Sequence, residues 1–248
     1  LDDSKFDPTF DFKYSLMKRS ILKFSFLVFL IVITVSCKKD RWMNEEEAAD
    51  IMARSLEQNS GGLAREVDLQ TTYWMLNLTL IPCGDSMAVV RNFQYSANGN
   101  TASADYVWNI RKHCTDSDVY LTWTSNFTGE YDFQRIRGTT EGQRNWTATQ
   151  LSSVFTEWKL NGTGFRLGSH ESKVRRRRSF NSKTETIFTD VLVNKNTRRL
   201  VGGTATSTIL VETNSGNTFT YNVVTTISSQ GVATVVVNGN KTFTFNLY

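Results

Sequence analysis

The sequence predicts a mainly β protein: an antiparallel up-and-down meander preceded by an N-terminal helical segment. Three observations carry this. From Asp85 to the C-terminus, apolar residues recur at every second position in many short runs. Those runs are punctuated by turn signals at Asn98-Gly99, Asn161-Gly162, Gln230-Gly231 and Asn238-Gly239, and Asn-Gly between alternating runs is the strongest short hairpin mark. No helical pattern falls between the runs, which argues against a parallel sheet with crossovers. Nine to eleven strands can be drawn. A sandwich, an open barrel or one curved sheet would each accommodate them.

Composition sets the outer bounds. A chain of 248 residues with 40% hydrophobic and 21% charged content has material for a core, so wholesale disorder is not expected. The net charge of +4 is too mild to argue for nucleic acid as a partner. Two His and three Cys leave little for a metal enzyme, and neither a metal nor a cofactor is expected.

Taken in order, the first Met is Met17, followed by Lys18, Arg19 and Lys23 and then an apolar run from Phe24 to Val35. A membrane-spanning helix needs about 20 apolar residues, so this run is too short. Its length and basic flank fit a secretory signal instead. Asn44 is a fair N-cap for a helix, with Glu47 placed to complete a capping box and three Glu in the first turn. Ala48, Ile51, Met52, Ser55 and Leu56 share one face, and Gly61-Gly62 breaks the helix. Leu63, Val67, Thr71, Trp74, Met75 and Leu78 suggest a second helix, which Pro82 ends.

The strands follow. Arg91–Tyr95 turns at Asn98-Gly99 into Ala104, Tyr106, Trp108 and Ile110. Val119, Leu121, Trp123 and Phe127 alternate with polar neighbours. Val154, Thr156, Trp158 and Leu160 are read as a strand running into a turn at Asn161-Gly162. Ile187–Val193 meets Leu200–Thr213 across Asn194–Thr197, and Phe219, Tyr221, Val223 and Ile227 line one face of the next strand. Val232–Val237 returns, and Phe243, Phe245 and Leu247 close the chain. Thr204, Thr206, Thr208, Thr218, Thr220 and Thr226 fit solvated strand faces.

The stretch Thr34-Val35-Ser36-Cys37 at the end of the apolar run resembles the lipobox of bacterial lipoproteins, with Thr34 where that family usually has Leu. The Ser-Cys-Lys-Lys-Asp sequence at 36–40 resembles lipoproteins of the Bacteroidota, as does the helix, Gly-Gly and Thr-rich meander that follow. The resemblance implies cleavage before Cys37 and acylation of Cys37. It implies anchoring in the outer membrane, since Lys38 is not the Asp of an inner-membrane retention signal; whether the protein faces the periplasm or the outside stays open. It brings no activity with it. On this reading residues 1–16 are a leader upstream of the true start, 17–36 a signal peptide, 37–43 a tether, 44–80 the helical segment and 85–248 the β domain. An exported chain with Cys83 and Cys114 remaining most simply pairs them, the alternative being two buried thiols.

Few residues point to chemistry. His113, Cys114, Asp116 and Asp118 cluster, but without the spacing of a zinc site. His170 lies between Ser169 and Glu171, yet neighbours on an extended chain point to opposite sides, and no Gly-x-Ser-x-Gly elbow is present. Glu130, Asp132, Glu141 and Glu157 could supply a glycosidase carboxylate pair. The run Arg175, Arg176, Arg177 and Arg178 reads as a solvated hairpin loop, or as a patch for an anionic lipid or glycan. Trp108, Trp123 and Trp158 share register with apolar neighbours and are expected in the core. Trp146 is expected to be exposed. Asp85-Ser86-Met87 matches a short O-glycosylation acceptor pattern of the Bacteroidota. The leading expectation is a non-enzymatic binding or structural module of the cell envelope. It would be membrane-bound through its lipid, with an envelope protein, a glycan or an anionic lipid as partner. A carbohydrate-active or other hydrolase and a carrier of apolar ligands are the alternatives.

Overall fold

Ten strands follow two helices and pair in simple sequence order, each antiparallel to the next, in one sheet that does not close. The computed structural model describes residues 43–116, 118–174 and 178–248. The lipobox with Cys37, Trp42 and Arg175–Arg177 lie outside the described residues. Helix α1 spans Glu45–Leu56 and α2 spans Leu63–Asn77. The strands are β1 (Ser86–Ala97), β2 (Asn100–Cys114), β3 (Val119–Asp132), β4 (Ile136–Thr149), β5 (Glu157–Ser172), β6 (Ser179–Asn194), β7 (Leu200–Thr213), β8 (Thr218–Ile227), β9 (Val232–Val237) and β10 (Lys241–Asn246). Of the architectures the alternation allowed, the open single sheet is the one adopted.

Local chemistry sets the element ends. The Asn44 side chain accepts from the Glu47 amide at 3.2 Å and the Glu47 carboxylate accepts from the Asn44 amide at 3.4 Å, a complete capping box. Helix α2 is shorter than its apolar spacing suggested and ends at Asn77. Its buried face is Leu63, Val67, Thr71 and Trp74 together with Glu66 and Gln70, so Met75 points outward. Asn98 and Gly99 both have positive φ, as a two-residue hairpin turn requires. Cys83 and Cys114 form a disulfide, with Cα atoms 5.6 Å apart, joining the segment before β1 to the end of β2.

Two expectations fail for packing reasons. Asn161-Gly162 is not a turn but lies inside β5, at a register shift between Leu160 and Gly162. Gly162 sits beneath the Trp146 ring, where a Cβ would come within 2.6 Å of Cε3, and Asn161 accepts from the Asp190 amide at 2.9 Å. Val154 and Thr156 fall in the β4–β5 connection instead of a strand. Trp146 is buried, not exposed, because its ring fills the space over Gly162 and packs on Phe188. All five described Trp are buried, and Trp74 on α2 meets Trp123 and Trp158 with centroids 4.6 and 4.9 Å away.

The sheet curls around the helices. The linker amide of Gln58 donates to the Leu247 carbonyl, just past β10, at 2.8 Å, while the Gly61 carbonyl three residues on accepts from the Tyr106 hydroxyl of β2 at 2.7 Å. In a flat sheet β2 and β10 would stand about 38 Å apart, at about 4.8 Å per strand. A four-residue linker cannot bridge that span, reaching at most about 3.6 Å per residue. The inner face therefore wraps α1 and α2. Ala48, Ile51, Met52, Leu56, Leu63 and Trp74 from the helices are buried, as are inner-face residues such as Trp108, Leu160, Val193, Ile209 and Val235.

Candidate ligand-binding groove

With the inner face filled by helices, the outer face is where the strands present side chains to solvent. Two adjoining depressions there, of about 760 Å³ and 820 Å³, share Ser103, Glu130, Thr139 and Ser169, and a smaller one of about 390 Å³ lies apart at Asn109, Thr124 and Asn145. The registers turn the first into an ordered surface. Ser103, Glu130, Thr139, Ser169, Asn181 and Glu212 are successive cross-strand partners from β2 to β7. Two residues along, Asp105, Thr128, Glu141, Leu167, Lys183 and Leu210 form a parallel row. The floor is thus two side-chain rows running across six strands, about 24 Å long at about 4.8 Å per strand.

Hydroxyls, amides and carboxylates dominate this floor, with Leu167 and Leu210 as apolar patches. Its charge is negative: Asp105, Glu130, Glu141 and Glu212 against Lys183, which pairs with Glu185 at 2.7 Å. Neighbouring polar groups are already ordered. Asn92 donates to Asp105, Ser169 donates to Asn181 at 2.9 Å, and Ser103 donates to Glu130 at 3.4 Å. The second depression continues toward Tyr95, whose ring stacks on Phe133, and toward the Arg137–Glu171 ion pair at 2.6 Å.

The carboxylates singled out from sequence divide. Glu130 and Glu141 are diagonal neighbours on β3 and β4, a placement that sets backbones about 7–8 Å apart. Asp132 adjoins them but is held by Lys173. Glu157 begins β5 at the opposite end of the strand and takes no part. Glu130 and Glu141 are both solvent-exposed.

His170 is a structural brace. Its ring fills the space above Gly138 and Gly168, where an added Cβ would lie 2.9 Å from Nδ1 and 2.4 Å from Nε2. Nδ1 bonds the Tyr131 hydroxyl at 2.6 Å and Nε2 the Ser182 hydroxyl at 2.7 Å, so both nitrogens are occupied. Burial, reinforced by the nearby Arg166 cation, pushes its pKa down to about 3, and the ring is neutral. Ser169 and Glu171 point to the other face, as alternation requires.

His113 bonds Thr122 at 2.8 Å and stacks on Tyr120, while Cys114 is in the disulfide, so these two are engaged elsewhere. Arg178, the last residue of the basic run, accepts at its carbonyl from the Ser172 amide at 2.8 Å. Ser86 is exposed at the start of β1.

Sequence reasoning missed the buried ionic groups. Glu66 of α2, fully buried, pairs with Arg144 of β4 and accepts from Gln70 at 3.1 Å, and the Arg144 guanidinium lies 4.2 Å from the Phe127 ring centroid. Arg166 of β5 is buried beside them. The available signal was phase: Arg144 alternates with Trp146 and Ala148, and Arg166 with His170, on the inner face. No protein-family model, curated protein or solved structure matches this chain.

Proposed function

We propose that the chain is an outer-membrane lipoprotein, anchored through Cys37, whose β domain is a non-enzymatic module that binds a neutral glycan along its outer face. The carrying observation is the pair of polar rows across β2–β7, which offers a long, shallow, hydrogen-bonding floor with apolar spots at Leu167 and Leu210. A polyhydroxylated chain matches such a floor. The surplus of carboxylates over cations disfavours an anionic lipid or acidic glycan in the groove. The filled inner face and open sheet argue against an apolar-ligand carrier, whose cargo needs an enclosed cavity.

Titration calorimetry on the full chain in non-ionic detergent, with maltohexaose, mannohexaose and chitohexaose, tests this. At least one should bind, and Thr139→Trp, an exposed change at the centre of the floor, should weaken that binding at least tenfold without lowering Tm. Binding by none of the three, or equal binding by the variant, would contradict the proposal. A hydrolase is the second reading, favoured by the diagonal Glu130 and Glu141. It requires chain cleavage that Glu130→Gln or Glu141→Gln abolishes.

A further inference from the structure

Beneath the curled sheet, between α1 and strands β4–β6, lies a small cavity of about 20 Å³. A void of that size holds a single small species, since one water-sized sphere needs about 10–15 Å³. Its lining is unusually charged for an interior. Arg144 and Arg166 both reach it, together with Thr184 and with Met52, Leu56 and Phe188.

The two arginines differ in their neutralisation. Arg144 has Glu66. Arg166 is 8% exposed and has no ion pair among the described residues. Its one hydrogen bond is a long 3.3 Å contact from Nη2 to the Thr140 hydroxyl, and its Nε has no partner. Desolvation pulls its pKa down to about 10, which leaves it a cation at neutral pH. Thr184, 3% exposed, likewise has a buried hydroxyl with no partner. The other hydroxyls on the lining are engaged: Ser55 donates to the Met52 carbonyl at 2.7 Å, and Thr186 bonds Ser207 at 2.9 Å.

A buried charge without a counter-charge is among the most costly arrangements in a protein interior. Here it adjoins a second guanidinium, and Arg166 and Thr184, which carry an unused N–H and an unused O–H, both line the same small space. Gly164 on the lining lets the Arg144 stem pass close to β5, because a Cβ there would come 2.9 Å from Arg144 Cγ. We propose that this cavity is a binding site for one monatomic anion of chloride size, held by the Arg166 Nε–H and the Thr184 hydroxyl and neutralising the Arg144–Arg166 pair. The narrow space suits a chloride or bromide ion and favours either over a larger carboxylate, phosphate or sulfate. The anion then locks α1 onto β5 and β6, which makes the site a structural ligand separate from the outer groove.

The test is thermal unfolding of the full chain in non-ionic detergent, in sodium chloride, sodium bromide and sodium gluconate at equal ionic strength. The expected result is a saturable rise in Tm of about 2–4 °C in chloride and bromide over gluconate, because a ligand bound only by the folded state stabilises it. Arg166→Met should unfold at one temperature in all three salts. Thr184→Val, nearly isosteric and expected to fold in any case, should need several-fold more halide for the same rise. Crystals grown in bromide should show an anomalous peak within hydrogen-bonding distance of Arg166 Nε. Equal Tm values for the parent chain in the three salts, a halide effect unchanged in Thr184→Val, or a cavity holding only water in bromide crystals would each overturn the proposal.

Discussion

At the scale of the residue, the account turns on polar side chains set into an apolar inner face. Glu66 and Arg144 join α2 to β4, both of them buried. Breaking such a pair from one side leaves an unmatched buried charge, at a cost of about 3–5 kcal/mol, whereas replacing both by apolar residues is often neutral. Glu66→Gln should therefore lower stability in urea by about that amount. Glu66→Leu with Arg144→Met should recover most of it, and the two unfolding curves measure the difference. His170 gives a second prediction, with a defined sign. Its pKa is near 3 when folded and ordinarily about 6.5 when unfolded, so the folded state resists protonation. The stability contributed by the neutral ring is complete above pH 6.5 and is lost as pH falls from there toward 3, by about 1.4 kcal/mol per unit. His170→Gln should be less stable at pH 7 yet show a flatter decline below pH 6.5 in urea titrations. Little of this was legible beforehand. Arg144 and Arg166 have the phase of core residues, but charge argues for the surface, and only the helix on the other side shows what satisfies Arg144. Trp146 shows the converse: polar neighbours in sequence suggested exposure, while its ring was needed to cover Gly162 on the next strand.

At the scale of the element, most of the fold could be read. The capping box at Asn44 and the hairpin turns at Asn98, Asn194, Gln230 and Asn238 are local events, settled within a few residues, and they stand where expected, whereas α1 already ends at Leu56, ahead of Gly61-Gly62, and Gly62 instead caps the start of α2. Asn161-Gly162 misled because the same dipeptide serves another purpose. A glycine on a concave sheet face admits a neighbouring ring, and this use depends on the register that sets Gly162 opposite Trp146 of the preceding strand. The disulfide is the covalent counterpart of these contacts. It closes a loop with a sequence separation of 31, which on the loop-entropy view stabilises by about 3–4 kcal/mol. Cys83→Ser with Cys114→Ser should lose about that much in urea unfolding, and adding reductant should then change nothing further.

At the scale of the whole molecule, alternation could not say whether the meander would close, stack or curl. That choice belongs to contacts between distant parts, above all the Gln58–Leu247 and Gly61–Tyr106 hydrogen bonds that hold the linker against both ends of the sheet. Curling commits the inner face to α1 and α2 and leaves the outer one to solvent. The groove was not visible in the sequence because its rows run across the chain. Ser103, Glu130, Thr139, Ser169, Asn181 and Glu212 look like unrelated surface residues until the registers align them. The most direct test is a crystal structure of the chain with whichever of the three hexasaccharides binds most tightly. The account predicts sugar density lying across β2–β7 over Thr139 and Ser169, with α1 and α2 unmoved. Sugar found on the inner face, with the helices displaced, or only at the loops at the ends of the strands would contradict it.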